Sequence, residues 1–103
     1  MLIVLADARF DPAQTAEIRA IAQPMIEASR AEPGCAGYDY AFDMLEPGLM
    51  RVREWWQDEQ ALKDHFATPH MAAFLKALRA LKPQSVTIKC HELGPERKMP
   101  TAG

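Results

Sequence analysis

Two histidines, His65 and His70, stand inside an aromatic-rich run that begins at Trp55-Trp56 and ends at Phe74. Imidazole is the side chain whose ordinary pKa lets it take or give a proton near neutral pH, so His65 is the first candidate for proton handling. On a half-buried helix face it could accept a phenolic proton or, as a donor, hold an anion. The competing account is a core histidine satisfied by a backbone carbonyl or by Glu54. His70, near a helix start, could line the same space or meet solvent. Tyr38 and Trp56 could stack on a flat ligand, a contact worth about 0.5–1.5 kcal/mol beyond area burial, or they could be plain core. Phe66, Met71 and Phe74 read as cavity wall in either case. Asp7 and Glu54 are candidate acidic partners for a histidine, although an ion pair with Arg51 or Arg53 accounts for charges on these strands equally well. The third histidine, His91, reads as a surface or interface residue.

Metal chemistry is not expected. The three histidines show no i, i+4 ligand pair, and Cys35 and Cys90 have no CxxC spacing, so two reduced thiols are the better reading.

These side chains need elements to hold them. Asp58 reads as an N-cap with Glu59 in the first turn, followed by Ala61, Leu62, His65 and Phe66 at helical spacing. Thr68-Pro69 restarts the chain as a second helix, whose apolar stripe runs through His70, Ala73, Phe74, Ala77, Leu78 and Leu81. Two short helices meeting at Ala67-Thr68 would thus offer His65, His70, Phe66 and Phe74 to one interior space.

Ahead of them, residues 2–10 alternate as a strand, apolar on both faces in its first half, and Asp7 interrupts the second face. Asp11-Pro12 opens a long helix that Pro33-Gly34 stops, and Pro24 should kink or split it near Gln23. Residues 35–44 and 49–56 form a hairpin around Glu46-Pro47-Gly48, with Ala36, Tyr38, Tyr40 and Phe42 on one face and Cys35, Gly37, Asp39 and Ala41 on the other. Residues 85–93 make a fourth strand, and residues 94–103 a tail that orders only by docking on a neighbour.

The order of strand, helix, strand, strand, helices, strand is the α+β, ferredoxin-like split βαβ plan. It implies a four-stranded antiparallel sheet in the order 4-1-3-2 with helices on one face. Strands with large residues on both faces want cover on both, so a second subunit is expected against the sheet.

With 103 residues, 49% hydrophobic and 25% charged, the chain is one domain over residues 1–93 whose site must share space with its core. A formal charge of −2 gives no electrostatic reason to expect nucleic acid or an anionic membrane as a partner. The N-terminal apolar run is too short to cross a bilayer and lacks a basic region before it, so the cytoplasm is the expected location.

The chain also resembles the antibiotic biosynthesis monooxygenase family, the dimeric α+β barrel proteins. The residues that carry the resemblance are Arg30-Ala31-Glu32-Pro33-Gly34-Cys35, then Tyr38, the strand end Glu54-x-Trp56, and the run Ala61-Leu62-x-x-His65-x-x-Thr68-x-His70-x-x-x-Phe74. It extends over residues 2–93. The resemblance implies a homodimer with face-to-face sheets and a small cavity in each subunit between sheet and helices. It further implies oxidation of a small phenol, quinol or polyketide-like aromatic by dioxygen with no bound cofactor. A deprotonated electron-rich phenol can itself reduce dioxygen, so the protein need only bind the ring, exclude water and move a proton. On this footing His65 is the catalytic candidate, Tyr38, Trp56, Phe66, His70 and Phe74 line the pocket, and Asp7 and Glu54 stand behind them. A haem-degrading branch of similar fold uses a first-strand asparagine and an axial histidine. The counterparts here are Asp7, His65 and Leu75, so haem is disfavoured. The rival reading is a non-catalytic dimeric module that binds a small apolar metabolite.

Overall fold

Strand β1 (Leu2–Arg9) sits in the middle of the sheet, antiparallel to β3 (Leu49–Trp56) on one side and to β4 (Ser85–Glu92) on the other. Strand β2 (Cys35–Phe42) completes the order β2-β3-β1-β4. This computed structural model describes residues 1–102. The sheet is the four-stranded antiparallel one expected, and its order is the expected 4-1-3-2 read from the other edge.

Helix α1 (Thr15–Arg30) buries Ile18, Ala22, Met25 and Ser29, a stripe of near-helical period, and α2 (Glu59–Phe66) and α3 (Pro69–Ala80) pack beside it on the same sheet face. The caps follow the sequence: Asp58 accepts from Ala61 N, and Thr68 accepts from Met71 N. Asp11 caps a short 3-10 turn (Pro12–Gln14) rather than α1 itself. Pro24 does not split α1, which runs unbroken from Thr15 to Arg30. Both Pro24 and Ala20, whose carbonyl it leaves free, are exposed, so water can take the lost bond.

One core cluster contains Val4, Ala22, Met25, Tyr38, Trp56, Met71 and Phe74. Burying an aliphatic or aromatic side chain of this kind contributes about 1.5–3 kcal/mol. A second cluster, of Ala8, Phe10, Ile18, Met50 and Val52, fills the other end.

A register shift between Cys35 and Gly37 corrects one expectation. Cys35 and Gly37 are not on one face: Cys35 sits opposite Trp56 and packs on the helix-side core, while Gly37 lies opposite Trp55 on the outer face. A bulge inserts one residue and so exchanges the faces beyond it. Gly37 is there because a Cβ would come within 2.5 Å of Trp55 Cε3.

The face turned away from the helices mixes ion pairs with the apolar side chains of Ile3, Leu5 and Trp55. Arg51 bridges Asp7 and Asp43, and Arg53 pairs with Asp39 and lies 5.0 Å over the Trp55 ring. Strand β4 is exposed along its whole length. Residues 93–102 form no helix or strand and are exposed; Gly103, the end of the expected tail, lies outside the described residues.

Candidate functional site: a glutamate shared by two histidines

The break between α2 and α3 is what brings the histidines together. Ala67 closes α2, Thr68 Oγ1 donates to the His65 carbonyl at 2.6 Å, and Pro69 starts α3 in a new direction. Residues five apart, which point away from each other on a continuous helix, then converge.

They converge on Glu32, in the connection between α1 and β2. Glu32 Oε2 accepts from His65 Nδ1 at 2.7 Å and from His70 Nε2 at 2.9 Å. A carboxylate can only accept, so both imidazoles donate, and neutral His65 is fixed as the Nδ1–H tautomer. Its Nε2 is buried and has no hydrogen-bond partner among the described residues. His65 is 0% exposed, 4.4 Å from the Trp56 ring and 5.3 Å from that of Tyr38. Desolvation pushes its pKa below the ordinary histidine range, and the hydrogen bond and charge of Glu32 pull the other way without prevailing.

The connection is held closely. Gln57 N donates to Gly34 O at 2.9 Å, and Gly34 packs so tightly on Ala61 of α2 that a Cβ there would collide with the Ala61 Cβ. Glycine at position 34 therefore lets α2 approach Glu32.

Of the expected residues, His65, His70, Tyr38 and Trp56 do gather. The other assignments change. Phe66 is 54% exposed and is no cavity wall, because neighbours on a helix diverge by about 100° and His65 has taken the inward direction. Phe74 is core, edge-on to Tyr40. Glu54 does not orient a histidine: its Oε1 accepts from the Trp56 indole N–H at 2.9 Å. Burial chiefly pushes the Glu54 pKa up, the indole bond lowers it, and the charge of Glu32 raises it further. Asp7 lies across the sheet, paired with Arg51 at 3.1 Å.

The acidic partner that sequence reasoning missed is Glu32. It stood in the quoted helix exit as a stop signal only, and nothing in its spacing points to His65. The histidines were expected to be scattered, yet Glu32, His65 and His70 offer three donor atoms all within 4.8 Å of one another, a set that could hold a metal ion.

A groove of about 420 Å³ runs between α1 and β2, lined by Ile18, Ala22, Ile26, Tyr40, Phe42 and Met50 among others. Tyr40 links it to the interior through a 3.1 Å hydroxyl contact with Tyr38, whose hydroxyl also meets Met25 Sδ at 3.1 Å. Burial pushes both phenols well above the ordinary tyrosine range.

A split βαβ sheet carrying an aromatic-walled histidine and carboxylate beneath its helix layer defines a small α+β protein suited to proton transfer in an apolar setting. The chain belongs to the antibiotic biosynthesis monooxygenase family, whose model matches residues 1–77. It is 30% identical over 92 residues to the uncharacterized protein sll1783 of Synechocystis, covering 89% of this chain and 63% of that one. The chain thus spans less than two thirds of that relative's length. It is 33% identical over 75 residues to a Bacillus subtilis protein named "Putative monooxygenase YcnE", covering 73% of this chain and 79% of that one. A crystal structure from Deinococcus radiodurans, described as a "putative antibiotic biosynthesis monooxygenase", superposes with a TM-score of 0.89 at 25% identity, covering 98% of this chain and 100% of the other.

Proposed function

We infer that this protein is a cofactor-independent monooxygenase acting on a small phenolic, quinol or polyketide-like aromatic, with His65 as the base. The observation that carries this reading is the Glu32–His65 pair: a carboxylate holds Nδ1–H and leaves Nε2 without a partner among aromatic rings. A base so oriented keeps its lone pair for an incoming proton. The substrate loses a proton to Nε2, its electron-rich carbanion reduces dioxygen to a carbon-bound hydroperoxide, and loss of water leaves a carbonyl. One oxygen atom ends in product and one in water, so no outside reductant is needed. Tyr38 and Trp56 wall the site, and His70 holds Glu32 from its other side. Access to His65 requires a side chain to move, and Phe66, half exposed and 5.5 Å from the His65 ring, is free to do so.

The working unit in this reading is a homodimer, supported by the uncovered β4 and by exposed Leu5, Val86 and Ile88. Free Cys35 and Cys90 suit a reducing cytoplasm. No helix among the described residues is long and apolar enough to cross a membrane.

One observation favours a second reading. The α1–β2 groove is open and mostly apolar, and its lining contains none of the histidines, as suits a module that binds an apolar metabolite without reaction. Oxygen uptake by metal-stripped protein against reduced quinols and polycyclic phenols, with an enzyme-free blank, separates the two. Uptake above the blank that His65→Ala abolishes supports the oxygenase. Aromatic binding without uptake, lost in a variant that fills the groove, supports the binding module.

A further inference from the structure

We propose that Glu32, His65 and His70 form a capture site for a divalent transition-metal ion of the zinc type, and that the ion inhibits the protein by occupying His65. Two imidazoles and one carboxylate are the donor set that zinc accepts while keeping an open position. Ligands about 2.0–2.2 Å from a tetrahedral ion stand roughly 3.3–3.5 Å from each other. The present contacts of 2.7 Å and 2.9 Å to Glu32 Oε2 need to widen by roughly 0.4–0.8 Å to admit one, and all three donor atoms already lie within 4.8 Å of one another. The donors come from three separate elements, the α1–β2 connection, α2 and α3, each already held by caps or backbone hydrogen bonds. Little ordering is left for the ion to impose.

A way in exists on the side of Glu32. A depression of about 270 Å³ is lined by Glu32, Asp58 and Asp64, and no lysine or arginine is among its lining residues. Its charge favours a cation and disfavours an anion. Of the three donors only Glu32 lines this depression; His70 is partly exposed and His65 is fully buried.

Binding changes what His65 can do. With Nδ1 on the metal, the ring proton moves to Nε2, and the nitrogen that the proposed reaction uses as a base becomes a donor. This inhibitory half rests on the oxygenase reading above; the binding half does not.

The test is titration of metal-stripped full-length protein with Co²⁺, followed by its visible absorption, and then displacement by Zn²⁺. One ion per chain is expected. Affinity should fall at least about tenfold in His70→Asn and in Glu32→Gln, since loss of a ligand costs no less than loss of its support. Cys90→Ser and His91→Ala should bind as the parent does. His70 is partly exposed, so His70→Asn decides the matter if Glu32→Gln fails to fold. Absence of binding, unchanged affinity in His70→Asn, or loss of binding in Cys90→Ser or His91→Ala overturns the site. Zn²⁺ should stop oxygen uptake by the parent over the same concentrations at which it displaces Co²⁺. Uptake that persists with the ion bound overturns the inhibitory half. A parent with no uptake at all counts against the oxygenase reading and leaves the metal titration readable.

Discussion

Glu32 and His65 stand 33 residues apart in the chain and 2.7 Å apart in the fold, and the glutamate fixes which nitrogen of the imidazole carries the proton. In the oxygenase reading proposed above, that constraint makes a buried histidine a directed base. General base catalysis contributes about 10²–10⁴-fold, so His65→Ala should lower oxygen uptake by that order. Glu32→Gln preserves shape but frees the tautomer, and at least about a tenfold loss is expected. Steady-state uptake on variants with unchanged far-UV spectra measures both. Full activity in Glu32→Gln would remove the glutamate from the mechanism.

The pH dependence of stability follows from the depressed pKa of His65. Below the ordinary histidine value of about 6.5, the unfolded chain binds a proton that the folded chain resists, so the unfolded state holds more protons. Stability should therefore fall as pH drops from about 6.5 towards the lowered folded value, and be flat above 6.5 as far as this group is concerned. Glu54 acts in the opposite direction. Its raised pKa favours the folded state below the ordinary glutamate value, and that contribution is lost as pH rises through the folded value. Urea midpoints from pH 7.5 to 5 in a Glu54→Gln background isolate the histidine. A midpoint that rises on acidification would reverse the assigned direction.

Trp56 Nε1 and Glu54 Oε1 are buried partners, and their energetics separate acceptor from charge. Glu54→Ala leaves a buried indole N–H unpaired, at a cost of about 1–3 kcal/mol. Glu54→Gln keeps an acceptor without a charge to desolvate, and it should match or exceed the parent at neutral pH. Denaturant unfolding of the two variants makes the comparison. Equal losses in both would mean that the carboxylate charge itself is needed.

These residues also show where sequence reading reached its limit. The caps at Asp58 and Thr68 and the inward set of Tyr38, Trp56 and His65 follow from periodicity and turn chemistry, which are local, and the strand order follows from the sequence of elements and the right hand of their crossovers. The reversal at Cys35 does not, because a bulge is one residue of pairing geometry that leaves no mark on alternation. The role of Glu32 does not either: a glutamate before Pro-Gly reads as a helix stop, and its partners are set by how α2 docks on the α1–β2 connection. Phe66 misled because its spacing fits a wide stripe that an eight-residue helix cannot bury in full.

Gly34 tests that docking directly. Gly34→Ala places a methyl on the Ala61 Cβ, and overpacking of this kind costs about 1–3 kcal/mol. The connection can relieve it only by moving away from α2, which carries Glu32 off His65. The downfield His65 Nδ1–H proton resonance expected of a short bond to carboxylate should weaken or disappear in the variant. A folded variant with that resonance unchanged would show that Glu32 is held by other contacts.

Ile88 provides the last test, of assembly. It is 63% exposed on β4, so a charge there removes little packing within one chain. In a dimer whose partner covers β4, that side chain becomes buried, and burial of an isoleucine is worth about 1.5–3 kcal/mol. Ile88→Asp forfeits this and places an unpaired charge in the contact, which costs more still. Light scattering should then report a dimer for the parent and a shift towards monomer for the variant, with far-UV spectra alike. A parent that stays monomeric at micromolar concentration would leave β4 without a partner copy, and the exposed Val86 and Ile88 would need another explanation.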